Sequence, residues 1–511
     1  MKAEQDSGGP SELLAEAVRS GDPDRIAAVA TRHIWPLFNT AYPALLAAIT
    51  PLPGGTVGRH PVLQLVHPLA PVFARSTRPF TVHSLNRYRR VGYEESLILT
   101  MQMIGSRMSG DIGAALGYAQ QLVARLRTEG PFDVPAADDP SWFFRHQIGT
   151  THLMAGQTVA ALREFGTARQ IGEVIGSADA VRSAAGRAAL THAVRGAVDD
   201  AQRALDTATA LPLPGPAYAD AALGTERTAA ALIDIARMRP ERDRSVALLE
   251  ALDTADVVWP FVMYARASHA LADGRAGDAL DAIAMSTVSH DVRAGTFASD
   301  AATALRITAH LALGEVNAAR RALEAATVHG TLTRTAEIRL ALHEADPVRA
   351  HARQAALTAA ELSPAQWAEV TLLAAWRESL AGDVSDELAH RTADLAANPG
   401  NRRAFTGVPV TVVDAVRDRL PESARSAFTA RLDGLPLGAP STPRPRLTPR
   451  EYQVLRALID HDNRADMAAA LGVSTNTVKT QLRSLYRKLG ATSKDEALMS
   501  AARLALLPRG R

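Results

Sequence analysis

Apolar residues recur along this chain at helical spacing, and the breaks between them recur as well. Gly156, Gly196, Gly274 and Gly314 stand 40, 78 and 40 residues apart, an interval of about 40 or twice 40. Five residues after each glycine stands an alanine: Ala161, Ala201, Ala279 and Ala319. Nine after each is a larger apolar residue: Phe165, Leu205, Ile283 and Leu323. Twelve after each is a small one: Ala168, Ala208, Ser286 and Ala326. Gly110 with Ala115 opens a looser copy, and Gly382 a degenerate one. For the copy missing between Gly196 and Gly274, the turn is expected at Arg239-Pro240, with Ala247 in the alanine position.

Glycine in such a pattern supplies a tight turn, small residues let neighbouring helices approach, and the large residue fills the groove of the next pair. A period in this range predicts an α-solenoid of paired helices. The spacing, together with Gly149 seven residues before Gly156, resembles the tetratricopeptide repeat, although the intervals are longer than in that family. Such arrays bind proteins or peptides on their concave face, which is what the resemblance implies for this region. The aromatic residues Trp142, Phe143, Phe144, Trp259 and Phe261 read as core, and His152 and His192 as repeat-equivalent packing or surface positions.

Upstream, Ser11 and the Gly21-Asp22-Pro23 turn begin short helices in residues 1–33. The segment Ala47 to Leu63 resembles the start of helical repeats in large bacterial regulators. His60 and His67 lie near it without acidic neighbours, so no metal role is expected for them. Downstream, two short helices between Val408 and Asp433 are expected to cap the array, the second from Glu422 to about Arg431. Four prolines then crowd into the stretch from Pro436 to Pro445, which forbids helix and predicts an extended spacer.

Beyond the spacer the local signals change. Thr448-Pro449-Arg450-Glu451 is a capping box, and Tyr452, Leu455, Leu458 and Ile459 are expected to form that helix's apolar face. Asn463 with Asp466 starts a second helix, which turns Met467, Ala470 and Leu471 inward. Gly472 permits a sharp turn, Val473 plugs the core and Ser474 caps a third helix. That helix carries an apolar stripe of Val478, Leu482, Leu485 and Leu489. Its other face presents Thr475, Asn476, Lys479, Thr480, Arg483 and Arg487. Gly490 is expected to stop it, and Ser493-Lys494-Asp495-Glu496 is a second capping box for a fourth helix reaching about Leu507.

Charge sharpens this contrast. The chain has 511 residues and a net charge of +2, but residues 441–511 hold 13 Lys/Arg against 6 Asp/Glu. The other 440 residues hold 43 against 48. A basic end on an acidic body points to a polyanion partner. A basic helix face offered by a tight turn suits the DNA major groove, with amide and cationic groups at base edges and hydroxyls on phosphate.

Residues 447–507 resemble the LuxR-type helix-turn-helix domain of bacterial regulators. The matching positions are Leu447-Thr448-Pro449-Arg450-Glu451, Val454-Leu455, Ala468, Leu471, Val473-Ser474, Thr477-Val478-Lys479, Lys488-Leu489-Gly490 and Glu496-Ala497. The resemblance implies that Lys479, Thr480 and Arg483 enter the groove and that Thr477 and Asn476 contact phosphate. Ser474, Thr475 and Arg487 complete the expected DNA-binding set. It also implies a dimer contact on the fourth helix through Ala497, Ala501 and Ala505. His461 and Gln481 depart from the family's usual glycine and histidine, and neither departure removes a groove-facing group.

Several classes are excluded. There is no cysteine, hence no disulfide or thiolate metal site, and a reducing compartment is expected. The N-terminus lacks an apolar signal segment. The most apolar run, Val257 to Ala265, is far shorter than a membrane span, so a cytoplasmic protein is expected. Lysine occurs only at 2, 479, 488 and 494, and none follows a glycine, so there is no P-loop. A phosphoreceiver module, which needs a lysine at a strand end, is excluded on the same ground. No catalytic constellation stands out, so neither enzymatic activity nor a cofactor is expected.

The expected fold is therefore all-α: a tetratricopeptide-like α-solenoid followed by a four-helix LuxR-type helix-turn-helix domain. The expected boundaries are a flexible, helical start at 1–33, repeats at 34–433, a Pro-rich linker at 434–446 and the DNA-binding domain at 447–507. The expected function is a dimeric transcriptional regulator that binds double-stranded promoter or operator DNA, with a protein, peptide or small effector on the solenoid. The alternative is a helical-repeat scaffold in which the helix-turn-helix domain serves assembly.

Overall fold

A computed structural model describes residues 9–60, 62–63, 93–128, 132, 139–215, 218–250, 252, 258–358, 362–437, 447–461, 463–489 and 491–503. Among them the regular structure is helical, with no β-strand. The expected stop at Gly490, most of the linker, His67 and Ala505 lie outside these residues. None of the described helices is long and apolar enough to cross a membrane.

The chain divides into two compact units, residues 1–234, 239–265 and 286–299 in one and residues 235–238, 266–285 and 300–511 in the other. The first begins with short helices α1 (Pro10–Ser20), α2 (Pro23–Arg32), α3 (Ile34–Thr40), α4 (Tyr42–Ile49) and α5 (Gly54–Gly58). Asp22 caps α2 by accepting from the Asp24 amide at 3.0 Å. His60 is buried, with Nδ1 3.0 Å from the Thr31 hydroxyl, in keeping with a packing role.

Paired helices follow: α6 (Glu94–Met108) with α7 (Ile112–Thr128), α8 (Ser141–Met154) with α9 (Thr158–Val174), and α10 (Ala178–Arg195) with α11 (Val198–Thr209). Then come α12 (Ala219–Ala236), α13 (Arg242–Ala247), α14 (Trp259–Ala272) and α15 (Ala276–Ser289). The array continues through α16 (Phe297–Ala312), α17 (Val316–Glu324), α18 (Thr331–His343), α19 (Pro347–Ala355), α20 (Pro364–Ala381) and α21 (Asp386–Ala397). The short helices α22 (Arg402–Thr406), α23 (Val410–Arg419) and α24 (Glu422–Leu432) close it, and the last two are those expected between Val408 and Asp433.

The repeat signature maps onto this packing. Gly156, Gly196, Gly274 and Gly314 all take left-handed φ values of 73° to 76°. Ala161, Ala201, Ala279 and Ala319, five residues on, are all fully buried. Small side chains at these buried positions let the helices close on one another. Gly149 behaves as expected: a Cβ on it would stand 2.7 Å from Cε1 of the fully buried Phe165.

Two turns escaped the glycine pattern. Met238 and Ala345 also adopt φ of 52° and close their helices as the glycines do. At Gly156 the amide donates to Leu153 O and the next amide to His152 O. At Ala345 the amide donates to Leu342 O, and that of Asp346 to Ala341 O. The missing copy thus turns over residues 237–241, which include the expected Arg239-Pro240, with Met238 in the left-handed position. Ala247 does not take the alanine position: it is exposed, and Leu249 is the buried residue. The physical reason is that α13 is only six residues long and buries none of them.

The last four helices are α25 (Pro449–Asp460), α26 (Arg464–Leu471), α27 (Thr475–Leu489) and α28 (Lys494–Arg503). They share a core of Val454, Leu455, Ala457, Leu458, Met467, Ala468, Val478, Leu482, Leu485, Leu489, Ala497 and Ala501. Tyr452 and Ile459 were expected in it, but they stand 40% and 42% exposed, and Val454 and Ala457 take the inward positions of α25.

Candidate nucleic-acid interface

Local chemistry fixes the three-helix frame around α27. Thr448 Oγ1 accepts from the Glu451 amide at 3.2 Å, and the Glu451 carboxylate accepts from the Thr448 amide at 2.8 Å, completing the capping box. Asn463 Oδ1 caps α26 by accepting from the Asp466 amide at 2.9 Å. Gly472, at φ 63°, ends α26, and Ser474 Oγ accepts from the Thr477 amide at 3.1 Å to start α27. Left-handed glycine and capping serine are two residues apart, so the turn between α26 and α27 is tight.

On α27, Val478, Leu482, Leu485 and Leu489 are buried. Ser474, Thr475, Asn476, Thr477, Lys479, Thr480, Arg483 and Arg487 are all exposed. The structure therefore brings the whole expected DNA-facing set onto one side of one helix and its cap. Among the described residues, the Lys479 and Arg483 side chains have neither a hydrogen-bond nor an ion-pair partner. The hydroxyls are more committed. Thr477 Oγ1 lies 2.8 Å from Ser474 Oγ, and Thr480 Oγ1 donates to the Asn476 carbonyl at 3.1 Å. Two unpartnered cations between capped hydroxyls can meet phosphate or base edges without first breaking an internal bond.

One group at the frame was not anticipated in this role. Glu451 is only 7% exposed, and its carboxylate accepts from Lys488 Nζ at 2.7 Å and from Ser484 Oγ at 3.0 Å. Burial raises its pKa, but the hydrogen bonds from Lys488, from the Thr448 amide and from Ser484 outweigh that and hold the carboxyl at about 2. The cap of α25 is thereby also a clamp on α27. A signal existed in the sequence: Ser484 and Lys488 are four residues apart and so share a helix edge.

The fourth helix is tied differently from the expected box. The Glu496 amide donates to Ser493 Oγ at 3.2 Å, but the carboxylate reaches back to Thr492, accepting from its amide at 2.7 Å and its hydroxyl at 2.6 Å. Lys494 Nζ donates to the carbonyl of His461 at 2.9 Å, so the residue standing for the family's glycine anchors α28 through its backbone. Ala497 and Ala501 do not offer the expected dimer contact, because both are fully buried in the domain's own core. Methyl groups there let α28 lie close on α27, and the outward residue between them is Met499, 72% exposed.

Residues 445–501 match the family described as bacterial regulatory proteins, luxR family. Over 58 residues the chain is 41% identical to the HTH-type transcriptional regulator MalT of Yersinia pestis and of Yersinia pseudotuberculosis. It is 40% identical over the same length to that of Serratia proteamaculans. Each match covers 11% of this chain and 6% of the relative, so the likeness is confined to the last four helices. With a left-handed glycine, a capped recognition helix and this match in the same residues, the C-terminal domain is a LuxR-type helix-turn-helix domain.

Proposed function

We propose that this chain is a sequence-specific transcriptional regulator that grips duplex DNA with α27, while its helical repeats receive the regulating signal. The observation that carries the reading is the separation on α27 of a fully buried apolar stripe from an exposed face with two unpartnered cations. In this reading Lys479, Thr480 and Arg483 enter the major groove, and the start of α27 with Ser474, Thr475, Asn476 and Thr477 faces phosphate. Arg487 extends the contact along the backbone. The chain acts by binding and not as an enzyme. A homodimer would close over the outer face of α28 around Met499, matching a two-fold operator.

The repeats support a receiving role through their construction. Helix pairs stacked through alanine contacts form extended surfaces suited to a protein, peptide or small effector. The test is genome-wide mapping of DNA bound by the intact protein, followed by affinity measurements on a recovered fragment across salt concentrations. A linear dependence of log affinity on log salt, with a slope of several charges, is expected. Lys479→Ala and Arg483→Ala are expected to weaken binding and to lower that slope by about one each. Indifference of binding to both substitutions would overturn the assignment.

A further inference from the structure

We propose that residues 290–296, which join α15 to α16, form a clasp that closes over the α6–α7 turn through Arg293 and opens when that charge contact is released.

In a stacked array each helix pair touches only its neighbours. Here, within the first compact unit, the connection after α15 reaches a turn that lies 182 residues earlier in the chain. Arg293 Nη1 lies 3.2 Å from Asp111 Oδ2, and Arg293 Nε donates to Asp291 Oδ2 at 3.0 Å. The backbone closes in at the same place: a Cβ on Gly110 would stand 2.9 Å from the Asp291 carbonyl oxygen. Gly110 takes a φ of 78°, so one glycine serves both the left-handed turn and the close approach of the strap.

The two ends of the strap are anchored by rings. At one end His290 stacks on Trp259, with centroids 4.1 Å apart and planes 8° from parallel. At the other, the buried Phe297 stacks on Phe261 at 4.8 Å and meets the Tyr264 ring at 5.7 Å. Thr296 Oγ1 accepts from the Ser299 amide at 3.1 Å, which fixes the start of α16.

Between these anchors the strap meets the α6–α7 turn through charge. The side chains of Asp111 and Arg293 are about half exposed, and that of Asp291 more so. Among the described residues no backbone hydrogen bond joins 291–295 to that turn. Exposed ion pairs contribute little to stability and weaken as salt screens them. Gly295, at φ 78°, supplies a pivot beside the Phe297 anchor. Ring-anchored ends and a middle held by exposed charge make a part that lifts from the α6–α7 turn while its anchors stay folded.

The clasp gives the repeats two arrangements, and its part in receiving a signal rests on the function proposed above. The chain has no native cysteine, so spin labels on Gln120→Cys and Ala294→Cys, both exposed positions, report a single distance in the full chain. Double electron–electron resonance at low salt is expected to show mainly a short distance, with a longer population growing at about 1 M salt. Arg293→Ala and Asp111→Asn are each expected to raise the ratio of long to short distances at low salt by up to about fivefold. Asparagine can keep the cap that Asp111 Oδ1 places on the Ala114 amide at 2.9 Å, so the second variant removes the charge and spares the turn. The double variant should go little further than either single one, because both break the same pair. A distance distribution that neither salt nor either variant moves overturns the clasp. DNA affinity of the same variants tests the wider reading separately. Affinity that follows the open fraction supports a part in signalling, whereas affinity indifferent to it overturns that part alone and leaves the clasp standing.

Discussion

The Glu451 carboxylate and the Lys488 ammonium meet at 2.7 Å, joining the first turn of α25 to the last turn of α27. Because the carboxyl is held at about 2, against roughly 4.3 for a free glutamate, its ionised form stabilises the fold. The depressed folded value means that this contribution is complete above pH ~4.3 and disappears as pH falls towards 2. Amide exchange in α25 and α27 is expected to be slower in the native chain than in Glu451→Gln at pH 6. The difference should shrink below pH ~4 and close near pH 2.

Lys488 and Lys479 stand nine residues apart on α27, the first paired to Glu451 and the second exposed. Lys488→Ala leaves the buried Glu451 charge without its main donor and is expected to cost about 1–3 kcal/mol of domain stability. Its effect on the salt dependence of DNA binding should be well under one charge. Lys479→Ala should show the opposite pattern, with a lower salt slope and unchanged stability. Fluorescence-anisotropy titrations at several salt concentrations, beside denaturation curves, separate the two.

Gly149→Ala is expected to destabilise the α8–α9 pair by about 1–3 kcal/mol, because the new methyl would lie 2.7 Å from Phe165 Cε1. The ring is fully buried and has nowhere to retreat. Combining the change with Phe165→Leu should recover part of the loss, a coupling measurable as a double-mutant cycle in denaturant.

Ala345→Gly is expected to stabilise the α18–α19 turn by about 1 kcal/mol, since alanine there holds a left-handed φ of 52°. Slower amide exchange across Leu342 to Asp346 is the readout. Gly196→Ala, at φ 76°, is the control and should destabilise its own turn by a similar amount.

Much of the molecule was legible in the sequence. The alanines placed five residues after each repeat glycine are buried without exception, because close helix packing constrains side-chain size at fixed spacing. The DNA-facing residues were legible for a similar reason: caps, turn glycine and apolar stripe are all encoded within one or two helical turns. Met238 and Ala345 were not legible as left-handed positions, since that geometry is imposed by the packed helices on either side and not by their own preference. Ala501 looked like a contact for a second copy, yet small apolar residues serve inward and outward packing alike, and only the position of α27 against α28 turned it inward.

The sequence by itself determined the helical class, the repeat register and the exposed face of α27, because each depends on residues a few positions apart. The tertiary structure alone decided that Glu451 clamps Lys488 across 37 residues and that the α28 alanines belong to the core. Those outcomes depend on which distant side chains meet, and burial then sets what each pair is worth.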